Sequence, residues 1–377
     1  MTEIAMLLVT LLLAYSNGAN DNFKGVATLY GSGVLSYRQA RLLATCATLA
    51  GALAAFALAE ALLKAFSGRG LVPNNVASDP AFAASVALAA GLTVALATRI
   101  GMPVSTTHAL VGGLVGTGLV ATGDSLNLSA LNQQFLAPLL LGPVIAFAIA
   151  AALASWQRRF WAAPSRDESC ACVSPPVAAA DTPGATATAS SLPIAPVLTL
   201  GTTQGDCAPM LNASNAMVVT ESRAINAAHI ASAASVCFAR GLNDAPKIAA
   251  LLLVAKSVGT SASITGVAMA MTLGGWLHSR HVAETMSHKI VKLEPRSSFL
   301  ANLCTAALVI SASSYGLPLS TTHVSVGAIS GLSGFAAGGE KISSATLKQI
   351  LLSWVATLPC AAAIGAITYS LLAQILN

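Results

Sequence analysis

The 377-residue chain is 55% hydrophobic and only 9% charged, with a formal net charge of +5 and a mean hydropathy of +0.72. Soluble domains carry about 25% charged residues, so this composition excludes an ordinary soluble protein and fits an integral membrane protein. The long Ala- and Leu-rich runs imply spanning helices rather than the short alternating strands of a barrel, and the small positive charge reflects topology-setting loops, not a nucleic-acid surface.

In chain order, an apolar run over 4–16 meets Asn17-Gly18-Ala19-Asn20-Asp21 and resumes over 25–35. Neither piece alone comfortably crosses about 30 Å of hydrocarbon, so a helix broken at this polar stretch is expected. Glu3 precedes the run and no basic segment opens it, so a cleavable leader is not expected. Spans follow over 39–66 and 81–98, separated by a loop with Pro73-Asn74-Asn75. Then comes Pro103-Val104-Ser105-Thr106-Thr107-His108, a Gly-rich apolar stretch to about residue 123, and a span over 135–156 that ends on Arg158-Arg159.

Residues 157–224 lack helical periodicity and the apolar content of a core, and read as a flexible central loop. Cys170, Cys172 and Cys207 lie in it without a histidine and at no common zinc spacing, so no metal site is expected. Cys46, Cys237, Cys304 and Cys360 lie in apolar segments, where a thiol behaves as a small hydrophobe.

The second half repeats the first. Asn243-Asp244-Ala245-Pro246-Lys247 repeats the Asn-Asp-x-x-Lys pattern of Asn20-Asp21-Asn22-Phe23-Lys24 at an offset of 223. Pro318-Leu319-Ser320-Thr321-Thr322-His323 restates the 103–108 element at an offset of 215, and the run from Leu347 to Pro359 echoes that from Leu131 to Pro143. Three matched elements in one order mark an internal duplication. The expected fold is an all-α integral membrane protein of two homologous repeats, 1–156 and 225–377, inverted relative to each other, with broken helices and re-entrant Ser-Thr-Thr hairpins. Arg158-Arg159 favours a cytoplasmic central loop, and the lack of basic residues before the first span favours an external N-terminus.

The duplicated elements carry the chemistry. Ser105, Thr106 and Thr107, and Ser320, Thr321 and Thr322, each follow a proline and open a small-residue helix. Free N–H groups, the positive dipole end and hydroxyl donors make such a start an oxyanion site; plain N-capping is the structural alternative. Asp21 and Asp244 can accept from hydroxyls or bind a small cation or proton, and Asn20 and Asn243 offer donors and acceptors. A charge at membrane depth costs about 2.5–3.5 kcal/mol on insertion scales, so its repetition points to a binding site. The structural alternative pairs Asp21 with Lys24 and Asp244 with Lys247. Pro246 suits the first turn of a resumed helix. His108 and His323 can relay protons or simply bond at a helix start. Glu60, Lys64, Arg240 and Lys256 read as helix-end residues that snorkel, while Glu284 has no such ready explanation. No nucleophile and base occur together, so an enzyme is not expected, nor is a catalytic residue, cofactor or metal.

Gly18-Ala19-Asn20-Asp21, Gly241-Leu242-Asn243-Asp244 and the two Pro-x-Ser-Thr-Thr-His elements resemble the paired signatures of the inorganic phosphate transporter (PiT) family, with Glu284-Thr285 and Ser353-Trp354 as further matches. The resemblance implies a secondary transporter of inverted repeats, moving phosphate across the cytoplasmic (inner) membrane by alternating access. Phosphate and coupling cations would be held by Asn, Asp, Ser and Thr residues. Members of that family usually carry Asn-Asp-x-x-Asn where this chain has Lys24 and Lys247. An ammonium repels a neighbouring cation, so the two lysines are expected to replace bound Na⁺. Transport would then be Na⁺-independent or proton-coupled, with H⁺ or Na⁺ as the open choice of coupling ion. A sulfate or other tetrahedral-oxyanion permease is the nearest alternative, and an anion channel the next. The partners are the oxyanion and the lipid bilayer, a homodimer is admissible, and nucleic acid is excluded.

Overall fold

A computed structural model describes residues 2–161, 168–173, 198–205, 207–208, 217–255, 258–288, 294–335 and 344–376. Among these, ten helices of fifteen residues or more stand out: α1 Thr2–Asp21, α2 Tyr37–Leu58, α3 Pro80–Arg99, α4 Thr106–Thr122, α5 Ala137–Phe160, α6 Glu221–Ala249, α7 Thr260–His278, α8 Pro295–Ser314, α9 Thr321–Phe335 and α10 Ser344–Leu376. Their starts follow local chemistry. Ser36 caps α2 in a reciprocal capping box with Gln39, and Asp79 accepts from the Ala81 amide just ahead of α3, with Pro80 at its first position. Among the described residues, five helical segments are long and apolar enough to cross a membrane: Tyr37–Leu58, Pro80–Arg99, Leu128–Phe160, Pro295–Ser314 and Lys348–Ile375. Leu96, Ile100, Leu140 and Val355 are each more than 60% exposed. A surface so rich in bare aliphatic side chains suits lipid rather than water.

The unit formed by Met1–Gln157 and His229–Asn377 contains both halves of the duplication. In each half a helix pair (α3 and α4, then α8 and α9) is joined by an extended stretch that delivers the Ser-Thr-Thr residues. The turn out of the first helix needs a left-handed residue, and Gly101 (φ 72°) and Gly316 (φ 73°) provide it at equivalent positions. Gly18 and Gly241, also equivalent, serve a different purpose. A Cβ on Gly18 would lie 1.9 Å from the Met271 carbonyl oxygen, and one on Gly241 would lie 2.1 Å from that of Thr48. These glycines bring α1 onto α7 and α6 onto α2 at backbone contact, a packing mode available only to small residues.

The helix breaks fall elsewhere than expected. Helix α1 runs unbroken through Asn17–Asp21, turns over 22–26 and resumes only as the short helix Ala27–Gly31. Helix α6 continues through Asn243–Lys247 with Pro246 inside it, then tightens to a 3₁₀ turn over Ala250–Val254. Pro246 therefore does not open a resumed helix. Arg240, Asn243, Asp244 and Lys247 recur at helical spacing and are all buried, so other helices can satisfy their side chains without unwinding the backbone. The span expected over 39–66 is likewise divided, at Ala59, into α2 and the short helix Glu60–Ala65.

The second unit, Arg158–Ala228, carries a three-stranded antiparallel sheet in the expected flexible loop. Strand β1 (Ser169–Val173) lies between β2 (Leu198–Thr202) and β3 (Met217–Thr220). Cys170, Cys172, Cys207 and Val218 form its buried cluster, a nucleus too small to register as a hydrophobic run.

Candidate functional site

Asn20 and Asn243 fasten the two Ser-Thr-Thr stretches. The Asn20 amide donates to Thr98 Oγ1 and to the Met102 carbonyl, both at 3.0 Å, and its oxygen accepts from the Val104 amide at 3.1 Å. The Asn243 amide donates to the Leu319 carbonyl at 3.0 Å and to Asp244 Oδ1 at 2.9 Å, while its oxygen accepts from Ser313 Oγ at 3.2 Å. Thr98 and Ser313, and Val104 and Leu319, are repeat-equivalent, so the two asparagines fasten the same positions, with the hydrogen-bond directions exchanged between the copies. Ser105 and Ser320 act as N-caps. Each hydroxyl accepts from a backbone amide three residues on, at 3.2 Å and 3.3 Å, and meets the Nδ1 of His108 at 2.9 Å or of His323 at 2.6 Å.

The lysines cross between repeats. Lys24 Nζ donates to Asp21 Oδ1, to the Val104 carbonyl at 2.6 Å and to Thr322 Oγ1. Lys247 Nζ donates to Thr107 Oγ1 at 2.9 Å and to the Leu319 carbonyl at 2.8 Å, with Asp244 Oδ1 at 3.8 Å. Each ammonium thus sits among a carboxylate, a main-chain carbonyl and a threonine hydroxyl from the opposite element. Oxygen sets of this kind are what a hard cation uses. The same two threonines close across the site: Thr322 Oγ1 donates to the Val104 carbonyl at 3.1 Å and Thr107 Oγ1 to that of Leu319 at 3.3 Å.

Between the lysines lies a bridge centred on Asn17. Its Nδ2 lies 3.1 Å from Asp21 Oδ2, 2.9 Å from Thr106 Oγ1 and 3.1 Å from Asp244 Oδ2. Its Oδ1 accepts from Arg240 Nη2 at 2.8 Å. Arg240 also donates to Thr48 Oγ1 at 3.2 Å, and its Nε lies 3.8 Å from Asp244 Oδ2. Arg240 is 1% exposed, so its expected place at a snorkelling helix end is corrected: the guanidinium is inside the site. The residues named from the Asn-Asp elements and the threonines come together there. Asn17 and Arg240 were missed, yet they are equivalent at the same offset of 223 and stand one turn before the two aspartates.

The electrostatics are unbalanced. Lys24, Lys247 and Arg240 oppose Asp21 and Asp244, a formal surplus of one positive charge among residues that are all at least 96% buried. The N-termini of α4 and α9 meet here too, each worth roughly +0.5 charge. Thr106 Oγ1 has partners in Asn17 and Asp21, but its equivalent, Thr321 Oγ1, is buried without one among the described residues. Buried positive charge and an unpaired hydroxyl are both costly until an anion meets them.

His108 and His323 lie beside this centre. Their rings stack at 4.3 Å between centroids and 4° between planes, and the His323 ring lies 3.6 Å from that of Trp354. Both border a cavity of about 470 Å³ with Leu351, Trp354 and Pro359, and their Nδ1 atoms face serine hydroxyls rather than carboxylates. Glu284 is spent on Arg280 at 3.1 Å at the surface, and Glu60 pairs with Lys64 at 2.8 Å. Lys256 lies outside the described residues.

The family pattern described as the phosphate transporter family matches residues 17–365, nearly the whole chain. The chain belongs to that family. It is 26% identical to the inorganic phosphate transporter 2-1, chloroplastic, of Arabidopsis thaliana, over 99% of this chain and 72% of the plant protein. It is 25% identical to a Bacillus subtilis protein named "Probable low-affinity inorganic phosphate transporter", over 99% of this chain and 98% of that one. A solved structure titled "The sodium-dependent phosphate transporter" shares the fold, with a TM-score of 0.72, 24% identity and 99% coverage of both chains. This family member is thus a transporter by descent, and its duplicated motifs lie inside the matched region.

Proposed function

We propose that this protein moves inorganic phosphate across the cytoplasmic membrane by alternating access, as a secondary transporter that does not require Na⁺. The observation that carries the reading is the surplus positive charge at the meeting of two helix N-termini. The formal surplus of one and two half-charges of dipole amount to about +2, which matches a hydrogen phosphate dianion. Thr106, Thr107, Thr321 and Thr322 supply hydroxyl donors, with Lys24, Lys247 and Arg240 as counter-charges. Ser105 and Ser320 hold the helix starts whose N–H groups complete the anion site. Asp21 and Asp244 accept the hydrogen bond that hydrogen phosphate can donate and sulfate cannot, while His108 and His323 remain the candidates for a proton route.

The lysines account for the cation independence. Each ammonium occupies an oxygen set that would otherwise draw a hard cation, so two tethered charges stand in for two diffusible ones. Inverted repeats would let the site open to either side by exchanging the Lys24–Val104–Thr322 contacts against the Lys247–Thr107–Leu319 contacts. The substrate is tested by competition in proteoliposomes loaded with labelled phosphate outside. Arsenate is expected to compete and sulfate not to do so at equal concentration; preferential competition by sulfate would reassign the substrate.

A further inference from the structure

Outside the duplicated motifs, a second concentration of positive charge lies where α2 begins. Arg38 and Arg41 are one turn apart on one face of that helix, at the end of a membrane-length span. The Arg41 guanidinium carbon lies 4.1 Å from the centroid of the Trp276 ring and 5.5 Å from that of Tyr37. Its Nη1 donates to the Trp276 carbonyl at 3.1 Å, near the end of α7. Arg280, which opens the short helix Arg280–His288, approaches the same Tyr37 ring at 6.0 Å. Helices α2 and α7 contain no acidic residue, and Glu284, 3.1 Å from Arg280, is the one carboxylate in the short helix. The cluster therefore carries a formal surplus of two positive charges.

That surplus is badly placed for the protein alone. Like charges one turn apart repel, and the first turn of a helix favours anions over cations. Among the described residues Arg38 has no hydrogen bond or ion pair, and Arg41 Nε is buried without a partner. An anion lying across the cluster would relieve all three. The surroundings select what carries it. Tyrosine and tryptophan are the residues that sit at the headgroup level of a bilayer. Leu42, one turn from Arg38, and Leu273 and Leu277, flanking Trp276, are each more than half exposed. A free anion makes no use of these aliphatic side chains, whereas a phospholipid lays its acyl chains along them with its phosphate among the arginines. Basic residues also gather on the cytoplasmic face of membrane proteins, where anionic lipids make the surface potential negative.

We propose that Arg38, Arg41 and Arg280 hold the headgroup of an anionic phospholipid at the membrane interface, distinct from the site that binds the transported anion. The full-length protein, purified in detergent, is titrated with phosphatidylglycerol and separately with phosphatidylcholine, and bound lipid is counted by native mass spectrometry. Phosphatidylglycerol is expected to bind in preference. Each arginine facing an anionic lipid is worth about fivefold, so Arg38→Gln/Arg41→Gln should weaken its binding roughly 30-fold. Arg38→Gln/Arg280→Gln should weaken it by a similar factor while leaving the Arg41 contacts with Trp276 in place, which keeps the test decisive should the first variant fail to fold. Arg158→Gln/Arg159→Gln removes the same charge from the end of α5 and should retain the lipid. Equal binding of the two lipids by the unaltered protein overturns the proposal, as does undiminished phosphatidylglycerol binding by Arg38→Gln/Arg280→Gln. An equal loss in Arg158→Gln/Arg159→Gln, which would mean a diffuse field rather than a site, also overturns it. Displacement of the lipid by excess inorganic phosphate would reassign the cluster to a free anion and overturn it likewise.

Discussion

Replacing both lysines by the amide usual in the family, Lys24→Asn with Lys247→Asn, should convert this transporter into a cation-dependent one. The substitution removes two of three buried cations and leaves Arg240 against Asp21 and Asp244, so the formal charge of the site moves from +1 to −1. Breaking a buried ion pair by removing one partner costs about 3–5 kcal/mol. That cost falls on the fold; losing two charged partners of the anion, about 1.5–3 kcal/mol each, weakens phosphate binding by roughly 100-fold or more at 1.4 kcal/mol per decade. The oxygens vacated by the two ammonium groups, on Asp21, Val104 and Thr322 and on Asp244, Thr107 and Leu319, would then be free to hold two Na⁺, which restores the charge to +1. The assay is labelled phosphate uptake by proteoliposomes while NaCl replaces choline chloride at constant ionic strength. The variant should be inactive without Na⁺ and recover along a sigmoidal curve. Undiminished uptake in Na⁺-free buffer would refute the assignment of the lysines as built-in cations.

Other expectations follow from single contacts. Arg240→Met leaves the Asn17 oxygen and Asp244 without their guanidinium and should cost about 3–5 kcal/mol, read as a lowered Tm in detergent together with weakened phosphate binding. Thr321→Val removes a hydroxyl that bonds nothing among the described residues, so Tm should be nearly unchanged. Phosphate affinity should nevertheless fall about 10- to 100-fold, the worth of about 1.5–3 kcal/mol for a bond to a charged group. An unaltered Kd by calorimetry would remove Thr321 from the site. Gly18→Ala and Gly241→Ala each drive a methyl into a neighbouring backbone carbonyl and should cost about 3 kcal/mol or more, with wild-type thermal stability as the contrary result.

The parts legible in the sequence were those written twice. Two Asn-Asp elements and two Ser-Thr-Thr elements are local patterns, and their repetition announced a shared centre before any fold was known. Arg240 was not legible as a member. An arginine one turn before Asp244 reads equally as a helix-end residue, and only the packing of α6 on α2 at Gly241 shows that it lies in the interior. Extending the offset of 223 one turn upstream would have paired it with Asn17, its actual hydrogen-bond partner. The unwinding expected at both Asn-Asp elements failed for a related reason. Buried polar side chains can be satisfied from neighbouring helices, so Pro246 rides inside α6 while only the first copy turns out of its helix after Asp21. The strands of the central unit are five residues or fewer, too short to show a period, and the three cysteines that meet there are separated by up to 37 positions.

The most direct measurement is phosphate uptake by the unaltered protein in proteoliposomes, at fixed pH, with an inward Na⁺ gradient set against none. With Lys24 and Lys247 as resident cations, the two rates should be equal and should respond instead to an imposed pH gradient. Uptake that appears only with the Na⁺ gradient would contradict the role given to both lysines.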